Sequence, residues 1–311
     1  MYEGLDALTF NNLFIEQLDT TEGIKKTAAG GAAFVRAKIR EVGFKRRILP
    51  PESVTRVDLQ RSTDHDTLIK IVDIEHDSKA MAINFASEAD ERYIQGKRYA
   101  IPFYKIESEK FVKSEGELLA YDYPITKVIE ENSIKDIQKV EDIRFIEHCE
   151  AAIALTGKRL TSTATAVDRK EMNSLFKMID YDQLLADVVL MNTVDYDDYM
   201  IQPATEVGSP LASEITTDGY KYQTILKRKL VVTNKHDILA PGEVWAFTEP
   251  AYMGNMFILN DVKFWIKKEA DLITWKTWEY IGGGIGNIKT VAKIELDVPH
   301  PIPVNGHLSY G

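Results

Sequence analysis

The sequence predicts an α+β fold, in which helices and strands come in separate runs without regular βαβ alternation. Three features carry the prediction. Strand-like segments cluster between residues 67 and 107, one long helix starts at Ser133, and a second set of strands runs from residue 186 towards the C-terminus. The chain has 311 residues, 44 % hydrophobic and 28 % charged, enough to bury one or two cores.

In order along the chain, residues 5–18 and 22–42 carry helical signals, the second interrupted by Gly30 and Gly31. Paired glycines cost a helix roughly 1 kcal/mol each relative to alanine, so this region reads as an arm that finds its partners elsewhere. Between Lys25 and Arg47 stand eight basic residues against one acid, Glu41, in a protein of net charge −10. Such a stretch is either a solvated helix face or a charged arm that lies on an acidic neighbour or a polyanion. Pro50 and Pro51 close it, because two prolines continue neither helix nor ladder.

The segments TLIKIVDIE, KAMAINF and KRYAIPFYKIE then predict strands, with turn chemistry at HDS (76–78) and a polar connection at ASEADERYIQG. About nine residues per strand reach roughly 30 Å, and a hairpin of that length needs its faces covered. Ser133 opens the clearest helix, with Asp136 as capping-box acid and an expected end near Leu155. Asp136–Lys139 and Glu141–Arg144 read as surface pairs. Ile134, Ile137, Val140, Ile143 and Ile146 recur every third position, a stripe that winds round the helix and meets different neighbours along its length. A second helix is predicted over 168–185. The strand ADVVLMN and the helix TVDYDDYM, capped by Thr193 or Asp195, follow it. Strands at LKRKLVVT, EVWAFTEP, FILNDVKFWIKK and IKTVAKIEL complete the pattern, and the polar stretch 203–219 reads as a connection.

Motifs for chemistry do not assemble. WEYIGGGIGNIK holds four glycines, but neither a dinucleotide fingerprint nor a P-loop fits, and a loop leading into a strand offers a phosphate no helix N-terminus. Its glycines are read as a tight turn or a close backbone approach. DHD (64–66) and EHD (75–77) lie at opposite ends of one strand and read as turn chemistry, with no metal expected. VDYDDYM lacks the glycine and final glutamate of a calcium loop. Glu147 and Glu150 read as a solvated face, and Trp245, Trp265, Trp275 and Trp278 mainly as core of alternating strands. Cys149 is the only cysteine, which excludes an intrachain disulfide, and it reads as a small buried hydrophobe in a helix. No cofactor is implied. The acidic balance excludes gripping nucleic acid by charge alone. The N-terminus lacks a signal-peptide pattern and no apolar run spans a bilayer, so a reducing cytoplasm is expected and no membrane.

In order of elements the chain resembles the major capsid proteins of tailed double-stranded DNA bacteriophages, of the Hong Kong 97 type fold. FVRAKIREVGFKRRILPP is similar to the N-terminal arm that crosses to a neighbour, and residues 57–107 to the extended hairpin loop laid over the adjacent subunit. The helix from Ser133 is similar to the spine helix, and ADVVLMNTVDYDDYM to the strand-Asn-x-x-Asp-aromatic opening of the axial domain. LVVTNKHDILAPGEVWAFTEPAYMGNMFILNDVKFWIK resembles the axial sheet, and IGNIKTVAKIEL the strand returning to the peripheral domain. The resemblance implies an arm (1–56), hairpin loop (57–107), peripheral domain with spine helix (108–185), axial domain (186–285), and return strand with tail (286–311). It also implies a non-enzymatic shell subunit forming hexamers and pentamers of an icosahedral virion head, assembled in the host cytoplasm. Its partners are then further copies of itself; portal, scaffolding or decoration proteins; and packaged DNA by weak contact. Arg36, Lys38, Arg40, Lys45, Arg46 and Arg47 are the expected inter-subunit arm contacts. No cleavable scaffolding domain precedes the arm, a departure from some relatives. Lys79, Lys97 and Asn287 match no crosslinking motif closely. The rivals are an encapsulin shell of the same fold and an α+β enzyme with a scattered site.

Overall fold

In the computed structural model, two β-sheets share one long helix. The structure describes residues 14–28, 43–64, 66–74, 82, 96–119, 135–200, 224–225 and 227–297. Helices α1 (14–18) and α2 (21–28) come first. They are followed by α3 (Phe44–Ile48), β1 (Glu52–Ser53), β2 (Gln60–Arg61), β3 (Leu68–Ile74), β4 (Lys97–Glu107), β5 (Phe111–Ser114) and α4 (Glu115–Leu119). The long helix is α5 (Lys135–Thr156), then β6 (Arg159–Ser162), α6 (Arg169–Asp180), β7 (Ala186–Asn192) and α7 (Thr193–Met200). The chain ends through β8 (Thr224–Ile225), β9 (Arg228–Thr233), β10 (Glu243–Thr248), α8 (Pro250–Met253), β11 (Gly254–Glu269), β12 (Leu272–Ile285) and β13 (Val291–Leu296).

The first sheet is built on the hairpin β11–β12, which pairs from Gly254↔Ile285 to Glu269↔Leu272. The expected hairpin joins it directly. β4 pairs through residues 103–107 with β12, while its other half, 97–102, pairs with β3 and forms a ribbon beyond β12. The expected strand at KAMAINF lies outside the described residues. Strand order is β1-β11-β12-β4-β3-β2, with β5 on the far half of β12. The second sheet has the order β6-β13-β10-β7-β9-β8.

These pairings correct two expectations. FILNDVKFWIKK belongs to β11, in the sheet of the hairpin rather than the sheet of β7, β9 and β10. The final strand, β13, pairs antiparallel with β10 and parallel with β6, so it enters the second sheet instead of returning to the first. Packing favours this place: Ala292 and Ile294 are buried in the cluster under α6, and Val291 in the cluster under α5.

The helix α5 runs almost as predicted, but its buried face is not the every-third stripe. Val140 is 39 % exposed, whereas Ile137, Glu141, Phe145, Cys149 and Ile153 are buried, a row of i,i+4 positions along one side. Near its start Ile137 packs with Leu49, Ile106, Met256 and Ile281 of the first sheet region. Further on Phe145, Cys149 and Ile153 pack with Val188, Trp245 and Phe247 of the second sheet. One helix thus supports both sheets, as the winding stripe implied, through a row that keeps Ile137 of that stripe but not Val140. Cys149 is fully buried there, as expected.

The other face of the second sheet is covered by α6, whose Met172, Leu175, Phe176 and Ile179 meet Val189, Met191 and Ala246. Asp168 caps α6 by accepting from the Glu171 amide at 2.7 Å. The helix stops at Asp180, before the predicted 185, because Gln183 adopts a left-handed turn (φ 61°). At the N-terminus, Phe14, Ile15 and Leu18 cover Phe264, Ile266, Ile273 and Trp275 at the far end of the long hairpin.

Candidate functional site at the root of the arm

The predicted arm contacts separate into three groups. Arg36, Lys38 and Arg40 lie outside the described residues. Arg47 is exposed. Lys45 and Arg46 are 3 % and 7 % exposed, so their charges point into the chain and not towards a neighbour. This corrects the expectation for those two residues.

The cause is local. In α3, Phe44 and Ile48 are core residues against Phe145, and Phe44 meets the Phe145 ring edge-on at 6.4 Å. Anchoring them turns the intervening Lys45 and Arg46 towards α5 and β12. Arg46 forms a bidentate pair with Glu141 (2.9 and 2.6 Å) and reaches Glu279 at 2.7 Å. The Lys45 amide donates to Asp142 Oδ1 at 3.0 Å, and Asp142 Oδ2 receives the Lys235 ammonium at 2.5 Å. Glu141 therefore does not serve as a surface partner of Arg144, whose guanidinium lies over the Tyr104 ring at 4.6 Å. Lys139 likewise pairs with Asp237, at 2.5 Å.

Charge in so dry a place is strongly perturbed. Burial acts to raise the Glu141 carboxyl, but its bonds to Glu279 and Arg46 outweigh that and hold it below the ordinary range. Burial, then the adjacent Glu141 charge, pushes Glu279 well above it. Burial opposes the Arg46 charge, yet the bond and charge of Glu141 more than compensate, and the guanidinium is held more firmly than usual. Burial also depresses Lys45 and raises Asp142.

The glycine run has a different setting from the predicted turn. Gly282, Gly283 and Gly284 lie inside β12, and the run offers neither a loop nor a helix start to a phosphate. Close approach is the operative property. A Cβ on Gly282 would sit 3.1 Å from the Phe103 ring, and one on Gly286 would sit 2.8 Å from the Tyr99 hydroxyl. The turn after β12 is made by Asn287, which accepts from the Lys289 amide at 3.1 Å.

At the start of α7 the expected cap is also reassigned. Asn192 Oδ1 accepts from the Val194 amide at 3.0 Å, and its Nδ2 donates to the Leu239 carbonyl at 2.8 Å. Thr193 instead donates to the Thr233 carbonyl, and Asp195 accepts from the Gly242 amide at 2.7 Å. Asn192 and Asp195 thus staple the 234–242 turn to β7. Burial lifts the Asp195 carboxyl to about 6 against the opposing Gly242 bond.

Among the described residues no cluster of three or more His, Cys, Asp or Glu is arranged to hold a metal. Burial pushes the Cys149 thiol well above its ordinary value, which leaves little nucleophilic thiolate. Glu147 is exposed as predicted, whereas Glu150 binds Lys293 at 2.7 Å and Arg159 at 2.5 Å. Trp245 and Trp275 are buried, while Trp265 and Trp278 are half-buried, with Lys105 at 5.3 Å and Lys276 at 5.5 Å over the Trp278 ring. No helix of the described residues is long and apolar enough to cross a membrane.

Two sheets joined by the long helix α5, with α3 anchored on it and a projecting ribbon β3–β4, make up the fold. The fold is the Hong Kong 97 type. A structure from Mycobacterium phage Cain is similar at TM-score 0.58 and 11 % identity, over 83 % of this chain and 92 % of that one. The asymmetric unit of the bacteriophage PhiM1 mature capsid is similar at 0.54 and 9 %, over 84 % and 88 %. A virus-like particle from Pyrococcus furiosus is similar at 0.53 and 15 %, over 86 % and 98 %. No protein-family model and no curated protein matches the sequence.

Proposed function

We propose that this chain is the major head protein of a tailed bacteriophage, a structural subunit that assembles into hexamers and pentamers of an icosahedral shell around double-stranded DNA. The observation that carries this reading is the fold itself, shared with a mature phage capsid over most of both chains. The ribbon β3–β4 supports it: Ile69, Ile71 and Val72 are only half-buried, a state that contact with another copy would complete.

In this reading residues 1–56 are the arm and 57–107 the hairpin loop. The peripheral domain takes the spine helix with β11 and β12, and the axial domain takes the second sheet with its last strand, β13. This moves the boundaries near 185 and 285 inferred from sequence. Arg36, Lys38, Arg40 and Arg47 are the arm residues offered to a neighbouring copy. Portal, scaffolding or decoration proteins are further partners, the DNA is touched weakly, and the head assembles in the host cytoplasm. The net charge of −10 suits this role, because a strongly basic lining would hold DNA by counterion release.

Negative-stain imaging of the expressed protein tests the proposal: closed particles, rings or sheets are expected, and a compact monomer by light scattering would reject it. An encapsulin-type shell is the second reading, supported by similarity over 98 % of the Pyrococcus furiosus chain. Cargo protein in place of nucleic acid inside purified particles would decide for it.

A further inference from the structure

Arg46 stands between two carboxylates from different parts of the fold. Its Nη2 donates to Glu141 Oε1 at 2.6 Å and to Glu279 Oε2 at 2.7 Å, while its Nε donates to Glu141 Oε2 at 2.9 Å. The two acids converge on one nitrogen, so these oxygens lie no farther apart than the two bonds together allow. All three side chains are buried. Glu279 Oε1 is also buried and has no hydrogen-bond partner among the described residues. A fully ionised pair would therefore leave a charged oxygen undonated in the interior, next to a second anion, which proteins avoid by keeping a proton.

We propose that Glu141 and Glu279 share one proton around Arg46, and that this proton latches α3, the root of the arm, to the spine helix and to β12. Glu279 carries the proton, and Glu141 stays ionised and grips Arg46 with both oxygens. The charge perturbations described above are opposite for the two acids, lowered for Glu141 and raised for Glu279, as one shared proton requires.

The groups facing the pair set the sign of its pH response. From α3 these are Lys45 and Arg46. From α5 they are Glu141 and Asp142, with Arg144, Glu147 and His148 a turn further on. Tyr104 faces the pair from β4, and Lys235 closes the cluster by binding Asp142. Burial raises the Tyr104 hydroxyl to about 12, so it stays neutral. Burial depresses Lys45, against the raising effect of the Glu141 and Glu279 charges. Rising pH thus adds negative charge to the pocket as Glu279 ionises. Because Glu279 titrates higher and Glu141 lower when docked than when released, docking is strongest near the ordinary carboxylate range. It is lost as pH rises through the docked value, by up to about tenfold per pH unit. That a released arm then reaches a neighbouring copy rests on the capsid reading; the latch itself does not.

Trypsin cleavage of the full-length protein at Lys45, Arg46 and Arg47 reads the latch, with a free peptide of residues 36–52 as rate control at each pH. Between pH 6 and pH 9 the wild-type rate relative to the peptide is expected to climb by up to about tenfold per unit over the titration. Glu279→Gln keeps a neutral donor, and its root is expected to stay protected and insensitive to pH. Glu141→Gln removes the counter-charge of Arg46 and is expected to expose the root at every pH. A wild-type root that does not respond to pH overturns the proposal. So does Glu279→Gln behaving like Glu141→Gln, since Glu279 would then act as an anion. If Glu141→Gln does not fold, wild type against Glu279→Gln still decides. Particles are scored on the same samples: their absence with a working latch rejects the capsid reading alone, and normal particles with an unresponsive root reject the latch alone.

Discussion

Gly282 on β12 faces Phe103 on β4 as a cross-strand pair, and a Cβ on the glycine would stand 3.1 Å from two carbons of the ring. The first sheet joins the hairpin loop at this pair, so the space beneath the glycine decides whether β4 docks. Gly282→Val should cost about 1–3 kcal/mol through overpacking. Gly284 has only ordinary contact with Ile101, at 3.7 Å, so Gly284→Ala should change stability by no more than about 1 kcal/mol. Urea denaturation of the two variants checks the contrast. Specific nucleotide binding by the wild type would contradict the structural role of this run.

Arg46 and Arg47 are neighbours with opposite surroundings. Arg46→Ala strips two buried carboxylates of their donor and should destabilise the chain by about 3–5 kcal/mol. Arg47→Ala removes an exposed charge and should cost about 1 kcal/mol or less. Neutralising Arg36, Lys38, Arg40 and Arg47 together should lower particle yield. Calorimetry and particle counts by electron microscopy separate the two effects.

Asp195 gives a second pH dependence. Its carboxyl titrates near 6 in the folded chain against an ordinary 3.8, because burial disfavours the anion. The folded state therefore binds more protons between those values, and stability falls as pH rises from about 4 to about 6 before levelling off. Asp195→Asn retains an oxygen for the Gly242 amide and should flatten that part of the profile. Denaturant midpoints measured at intervals from pH 4 to pH 8 report it.

The long hairpin turns at Ala270 in a left-handed conformation, φ 51°. An L-residue with a Cβ costs roughly 1–2 kcal/mol there, and glycine relieves it. Ala270→Gly should raise the melting temperature by a few degrees. An unchanged or lower value would show that the turn is held by its flanking pairs, including the Glu115 amide bonded to the Asp271 carbonyl at 2.7 Å.

Much of the fold was legible in local pattern. ADVVLMN and TVDYDDYM occupy β7 and α7 with the predicted bounds, because a continuous apolar run followed by Asn-Thr-x-Asp changes period within one residue. The cap inside that motif was misassigned: Asn192 accepts from the Val194 amide, while Thr193 and Asp195 are taken up by Thr233 and Gly242, residues distant in sequence. The buried face of α5 was misread for a related reason. Glu141 and Asp142 look like solvent residues until Arg46 and Lys235 arrive from elsewhere in the chain to neutralise them and the Lys45 amide donates to Asp142.

By itself the sequence determined the identity and approximate span of the main helices and strands, the absence of an intrachain disulfide, and an order of elements similar to capsid proteins. Those properties follow from periodicity, turn chemistry and composition, which act over a few residues. Only the tertiary structure decided that β13 joins the second sheet, that the glycines of β12 make room for Phe103 and Tyr99, and that two arm cations are buried on the spine helix. Strand partnership and charge burial depend on groups far apart in the chain, whose meeting is set by packing and hydrogen-bond register rather than by local pattern.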